Sequence, residues 1–292
     1  MYGVKKIEHP KTIKEALDLL HKNHELLPYA GGTDILVNMR AKNLQNVCLM
    51  SLHKLKELKF VEERDGEIHI GPMETYSNLA KNTLIQQRLP LLRTAALAMG
   101  GPQVQNLATI GGNVCNGATS ADGAAPLLAL DAQLVLGNKA RNRVVSITEF
   151  YVGPGKVVLE ADELLVDIVI PSPPRKGYAC VYKKFATRKA MDIATLGCAA
   201  TVSLAADGSI KKATLAFCTA GPTPVRSFSV EDRLVGESEM TEDLLELVAD
   251  LAEESTNPRT SWRASKEYRI NLIRQLAKRA IKECYMDARS SL

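Results

Sequence analysis

Two separate glycine pairs restrict this chain more than any other feature: Gly31-Gly32 in YAGGTDILVNMR and Gly111-Gly112 in NLATIGGNVCNGATSADGAAPLLALDA. Each follows an apolar run and is flanked by Thr and by Asp or Asn. Glycine admits positive φ and lets a neighbouring backbone or a ligand come close. Thr or Asp beside it can accept the free amides of a helix start. A single turn of this kind is more often a plain cap than an anion cradle, but two of them would suit a ligand long enough to reach both. Neither pair has the G-x-G-x-x-G or G-x-x-x-x-G-K-[ST] spacing, which excludes the Rossmann and P-loop readings. A dinucleotide pyrophosphate meets the demand, with the Thr33 and Thr109 hydroxyls, the Asn113 amide and the glycine N–H groups as neutral donors.

Around these turns the periodicity is that of an α+β protein. Thr12 and Glu15 form a capping box before Ile13, Ala16, Leu17 and Leu20, which share a helical face. LLPYA and NVCLMSL read as strands on either side of the first glycine turn, so about the first 55 residues resemble a small β-α-β unit. KFVEERDGEIHIG is a hairpin about Asp65-Gly66. Residues 85–99 read as one alanine-rich helix with Pro90 near its start, and Asp122 as the cap of a helix through Leu127 to Leu130. The Pro-rich run at 171–174 is the best domain boundary. Beyond it come strands joined at Asp207-Gly208 and three helical patterns, an α+β layer.

Composition narrows the function. The 292 residues carry a net charge of +4, too little to imply nucleic acid. The basic C-terminal stretch from Arg259 through Arg263, Lys266, Arg269 and Arg274 to Lys282 reads as a solvated helix face. Six cysteines without C-x-x-C spacing, and five histidines confined to the first 69 residues, leave no metal or cluster ligand set. No apolar run approaches the ~20 residues that span a bilayer, and the start lacks a secretory apolar stretch. The expectation is a cytoplasmic protein with reduced thiols and no membrane contact.

Taken together, YAGGTDILVNMR, GPQVQNLATIGGNVCNGATSADGAAPLLALDA, FYVGPGK, KFATRKAMDIATLGCAA and SWRASKEYR resemble the FAD-binding subunits of bacterial xanthine dehydrogenases, within the molybdenum hydroxylase family. The resemblance runs the length of the chain. It implies an FAD-binding domain of the vanillyl-alcohol oxidase (PCMH) type over residues 1–174, with subdomains of about 1–55 and 56–174. An α+β domain of the carbon monoxide dehydrogenase flavoprotein type would follow over 178–286.

Carried over by residue, the resemblance has Leu27, Pro28, Tyr29, Ala30, Gly31, Gly32, Thr33 and Asp34 wrap the FAD pyrophosphate. Thr109, Ile110, Gly111, Gly112 and Asn113 would grip it from the second subdomain. Met99 would pack on the cofactor, Asp122 would bond the ribityl or ring region, and Leu165 and Lys184 would touch the adenine or isoalloxazine edges. Cys115 would lie close by as a packing residue. Without the resemblance, Met99 reads as core, Asp122 as a helix cap and Lys184 as part of a solvated strand.

No catalytic acid, base or metal ligand is implied in this chain. A partner large subunit would hold the molybdenum cofactor and a small subunit two [2Fe–2S] clusters, as a dimer of heterotrimers. Electrons would leave through FAD to NAD⁺. Alternatives are the FAD subunit of a nicotinate, aldehyde or carbon monoxide dehydrogenase, or a nucleotide-binding assembly module without a redox role. One departure bears on the acceptor. Ala190 and Met191 precede Asp192 where animal xanthine dehydrogenases have two acidic residues, which makes the field at the flavin edge less negative.

Overall fold

The computed structural model describes residues 3–292. Its first sheet is parallel, with Val4–Glu8 and Leu27–Tyr29 flanking a central Val47–Ser51. The β-α-β unit expected from the sequence is there, with Val4–Glu8 as an additional strand. The helix Ile13–Lys22 starts where Thr12 Oγ1 accepts the Glu15 amide at 3.1 Å, and it buries Ala16, Leu17 and Leu20. The short helix Ile35–Ala41 follows the first glycine turn directly.

The second sheet is antiparallel, in the spatial order Val61–Arg64, Glu67–Ile70, Leu164–Pro171, Gln133–Gly137, Asn142–Ser146. Its first hairpin turns at Asp65 and Gly66, whose φ angles of 49° and 81° are those of a type I′ turn. Short helices between residues 76 and 129 pack on this sheet in the largest core, which holds Tyr76, Leu92, Ile110, Leu127 and Ile168.

Two expectations are corrected here. Residues 85–99 do not form one helix: Thr83–Arg88 and Pro90–Ala98 are separate, with Leu89 between them at φ −128° and ψ 55°. Proline at 90 disfavours helical geometry at the residue before it and is itself well placed at a helix start. Nor does Asp122 cap the next helix. Ala124–Ala129 begins after Gly123 with no side-chain cap, because the Asp122 carboxylate is turned elsewhere.

The C-terminal part is an antiparallel sheet of Tyr178–Phe185, Leu196–Leu204, Ile210–Cys218 and Val225–Arg226 in sequential order. The strand Leu196–Leu204 is buried almost throughout because its two faces serve two cores. Ala199, with Ala216 and Tyr182, joins the core of the preceding sheet, whereas Cys198 and Ala200 pack under the helices Phe228–Leu234, Glu242–Glu254 and Lys266–Ser290. Arg226 ties the two parts together, reaching the Leu128 carbonyl at 3.1 Å, the Asp131 carboxylate and Glu231. The class is the expected α+β. Among the described residues, no helix is long and apolar enough to cross a membrane.

Candidate functional site

The two glycine turns face each other across a cleft of about 630 Å³, inside the ~300–1,000 Å³ range of cofactor and ligand sites. One wall is the loop Pro28–Asp34 with Ile35 and Asn38, and the other holds Thr109, Gly112, Asn113, Cys115 and Asn116. Met99 and Asp122 lie along it. The loop bearing Arg188, Met191, Asp192 and Ile193, together with Trp262 and Arg263, closes one end.

The four glycines do different work. A Cβ on Gly31 would stand 1.9 Å from the Leu107 carbonyl oxygen, and one on Gly111 2.4 Å from Pro72 Cβ. Those two are packing glycines that let main chains meet. Gly32, at φ 73°, and Gly112 line the cleft, as does Gly31 beside its packing contact, whereas Gly111 does not. A Cβ on Gly112 would lie 3.0 Å from Thr109 Oγ1 and 3.7 Å from Ala30 Cβ, at the narrow point between the walls.

Hydrogen bonding separates the walls further. Among the described residues, the amides of Gly31, Gly32, Thr33 and Asp34 find no acceptor within the chain. A run of unpaired N–H groups lining a cleft is a donor set waiting for an anionic oxygen. On the opposite wall the amides are already taken: Ile110 donates to Glu74 O, Gly111 to Pro72 O, Gly112 to Thr109 Oγ1 and Asn113 to Thr109 O. The expectation of glycine N–H donors from both turns is therefore corrected to one turn. The second wall offers side chains instead. The Thr109 hydroxyl proton remains available, and Asn113, whose Oδ1 accepts from Gly123 N at 3.2 Å, keeps its amide N–H₂.

Asp122 anchors the cleft floor. Its Oδ2 accepts from Lys184 Nζ at 2.8 Å and its Oδ1 from the Tyr182 hydroxyl at 3.0 Å. Lys184 also donates to the Ala98 carbonyl at 3.0 Å. The Asp122 and Lys184 side chains are 8% and 9% exposed, so this is a desolvated pair and Lys184 is not on a solvated strand. Burial raises the Asp122 carboxyl above its ordinary range, against the pull of Lys184 and Tyr182 in the other direction. Cys115 borders the cleft with its thiol pushed up to about 12 by burial, which suits packing and not nucleophilic chemistry.

Of the residues expected at the site, Pro28 to Asp34, Met99, Thr109, Gly112, Asn113 and Asp122 line the cleft. Leu27 lies outside it, partly exposed on its strand opposite Leu49. Ile110 is core and Gly111 is packed on Pro72. Leu165 is also core, paired with Leu136, and the structure does not bring it to the cleft. Lys184 acts from behind Asp122. Sequence reasoning missed Asn38, Asn116, Ser120 and Arg188 as lining residues. Asn38 could have been found four residues after Asp34, on one helix face, where its Nδ2 donates to Asp34 Oδ2 at 2.5 Å. Arg188 and Trp262 lie within KFATRKAMDIATLGCAA and SWRASKEYR, but nothing local to either segment shows that it reaches this cleft.

With this geometry in place, similarity to known proteins becomes informative. Residues 3–173 match the family model described as the FAD binding domain in molybdopterin dehydrogenase, and residues 181–284 match that of the CO dehydrogenase flavoprotein C-terminal domain. The chain is 38% identical to the xanthine dehydrogenase FAD-binding subunit of Escherichia coli O157:H7, covering 100% of both. It is 29% identical to the nicotinate dehydrogenase FAD-subunit of Eubacterium barkeri, covering 92% of each. A solved carbon monoxide dehydrogenase from Hydrogenophaga pseudoflava superposes with a TM-score of 0.92 at 29% identity, covering 96% of this chain and 97% of that one. The two-part fold, the cleft with its orphan amides and these full-length similarities lead to one assignment: the chain belongs to the family of FAD-binding subunits of the molybdenum hydroxylases.

Proposed function

We propose that this chain is the electron-exit subunit of a xanthine dehydrogenase, assembled with a molybdopterin-binding large subunit and a [2Fe–2S] small subunit as a dimer of heterotrimers in the cytoplasm, with NAD⁺ as the acceptor. The observation that carries the FAD site is the row of unpaired amides from Gly31 to Asp34 opposite Thr109 and Asn113. In this reading residues 28–34 wrap the pyrophosphate. The Thr109 hydroxyl and Asn113 side-chain amide complete its donors from the other wall. The donor set fits the group: neutral N–H and O–H groups, preorganised in a concave site, suit a diphosphate. The substrate assignment rests on the higher identity to the xanthine dehydrogenase subunit, 38% against 29% for the nicotinate dehydrogenase subunit.

The bound flavin would supply the redox chemistry, and the chain's own residues hold, orient and shield it. Met99, 6% exposed, gives the cleft a polarizable apolar surface. Asp122, fixed by Lys184 and Tyr182, sets a rigid charge at the floor. Arg188 is folded over its own loop, its Nη2 donating to Met191 O at 2.6 Å and its amide to Asp192 Oδ2 at 2.9 Å. That loop also pins Gly100 through the Met191 amide at 2.7 Å, which limits water at the cleft end.

A second reading, a sister hydroxylase acting on nicotinate, an aldehyde or carbon monoxide, is supported by the 29% identity to the nicotinate dehydrogenase FAD-subunit over 92% of both chains. Co-expression with the genomic partner subunits separates the two. The purified complex should release one FAD per copy of this chain and form urate from xanthine with NAD⁺. Turnover of nicotinate or an aldehyde without xanthine turnover supports the sister reading. A colourless complex with no flavin would turn the assignment toward an assembly module.

A further inference from the structure

Arg259, Arg263 and Arg269 converge on a second cavity of about 140 Å³ beside the main cleft, and no carboxylate lines it. The sequence pattern places these arginines on a solvated helix face, and the structure corrects that. Further along the same helix, Arg274, Lys278 and Lys282 do face solvent and pair with Asp250, Glu253, Glu246 and Glu242. Arg269, one turn in from Ser265, is instead only 4% exposed. The reason is the segment 259–264, which folds back through a Ser261 to Ala264 bridge and covers the start of the helix.

The buried guanidinium is incompletely satisfied. Arg269 Nη2 donates to Ser261 Oγ at 2.9 Å, but its Nε has no acceptor. The Nε of Arg263 is also buried and without an acceptor. Burial first, then the charges of Arg259 and Arg263, lower the pKa of Arg269. A buried cation whose charged neighbours are cations is costly unless an anion joins it. Thr119, Ser120 and Thr219 add hydroxyl groups to a wall otherwise closed by Ile193, Ala194 and Gly221, and hydroxyls beside guanidinium groups are the donor chemistry of an oxyanion site.

Size and position select the ligand class. At roughly 30 Å³ per water the cavity equals about four or five waters, enough for one tetrahedral oxyanion and too small for a nucleotide. It shares Ser120, Ile193, Trp262 and Arg263 with the main cleft. Trp262 is 84% exposed on that shared rim, an aromatic surface next to a cationic pocket.

We propose that this cavity is an oxyanion site that takes one phosphate group. The phosphate arrives either as the free ion or as part of a nucleotide electron acceptor lying along Trp262. Only the second source rests on the electron-exit reading above.

Titration calorimetry of the full-length chain with inorganic phosphate at low chloride tests the site directly. The expected result is one saturable site, displaced by sulfate and weakened at least tenfold in Arg269→Gln and in Arg259→Gln. Arg259 is exposed, so its variant keeps the test valid even if Arg269→Gln does not fold. No saturable binding, or binding equally tight in Arg259→Gln, overturns the proposal. NADH oxidation with an artificial dye then separates the sources. Phosphate competing with NADH, together with a raised KM for NADH in Arg259→Gln, assigns the site to the acceptor's phosphate. Phosphate binding with an unchanged KM assigns it to the free ion. A colourless chain that still binds phosphate through Arg259 would overturn the flavin reading and leave the anion site standing.

Discussion

Gly31 stands against the carbonyl of Leu107 so closely that an added Cβ would lie 1.9 Å from the oxygen. The two walls of the cleft are therefore held at main-chain contact, and glycine is the residue that allows it. Gly31→Ala should force them apart and weaken FAD binding by at least tenfold, about 1.4 kcal/mol. Gly153→Ala is the control, since like Gly31 it lies outside the positive-φ region but its added Cβ would meet nothing nearer than 3.9 Å. Flavin content and fluorescence titration read the difference, and equal occupancy in the two variants would dismiss the contact as unimportant.

Gly112 tests the opposite wall. Valine there should exclude the cofactor by filling the narrow point near Ala30, and its Cβ, 3.0 Å from Thr109 Oγ1, should loosen that one helix cap without unfolding the domain. The protein should purify folded and colourless, with far-ultraviolet circular dichroism near that of the parent. Full retention of yellow flavin would remove Gly112 from the site.

The Asp122 and Lys184 pair should behave as a desolvated unit. Lys184→Met leaves a buried carboxylate whose remaining side-chain donor is Tyr182, and removing one partner of a buried pair costs about 3–5 kcal/mol. Adding Asp122→Leu should recover part of that loss, because neighbours that share an interaction are not additive. Urea denaturation of the single and double variants measures the coupling, and strict additivity would contradict it.

Glu163 supplies a pH signature remote from the cleft. It is 3% exposed, and its carboxylate accepts from Arg143 Nε at 2.7 Å and Nη2 at 2.8 Å and from the Glu160 amide at 2.9 Å. Arg143 holds its carboxyl below the ordinary 4.5. A lowered folded-state pKa means that the pair's stabilisation is complete above about pH 4.5 and is lost as pH falls through the folded-state value. Glu163→Gln should cost about 1.5–3 kcal/mol at pH 7 and progressively less below pH 4.5. Thermal melts across that window check the sign, and a deficit that grows toward acid would reverse it.

Cys115 should be inert although it borders the cleft. With the thiol pushed up to about 12 by burial, almost no thiolate is present at pH 8. Iodoacetamide at that pH should leave Cys115 unmodified by peptide mass mapping, with or without flavin. Rapid alkylation would show that the burial of this side chain is incomplete.

What the sequence disclosed, and what it withheld, follows from the distance over which each feature is determined. Thr12 with Glu15, the Asp65-Gly66 turn and the paired glycines are local chemistry, and each sits where its neighbours predict. The split at Leu89 is also legible in Pro90, whose ring restricts the residue before it. The division of labour among the glycines was not, because Leu107 and Pro72, the atoms that make Gly31 and Gly111 packing residues, lie far from Gly31 or on another element from Gly111. Lys184 looked solvated in KKFATRK because its partner is 62 positions away. Leu165 sits in a strand, LLVDIVIP, that is apolar on both faces, a pattern that cannot tell core from cleft. Arg269 matched a polar helix face until the preceding loop closed over it.

The shared burial of the strand Leu196–Leu204 has a thermodynamic consequence. Ala199 and Ala216 complete the core of the sheet that contains Ile68 and Ile168, so melting either segment would expose apolar surface of the other. Two segments that match separate family models are thereby joined in one cooperative unit. Calorimetry should record a single endotherm, and a backbone nick between residues 172 and 177 should leave both pieces together until that transition.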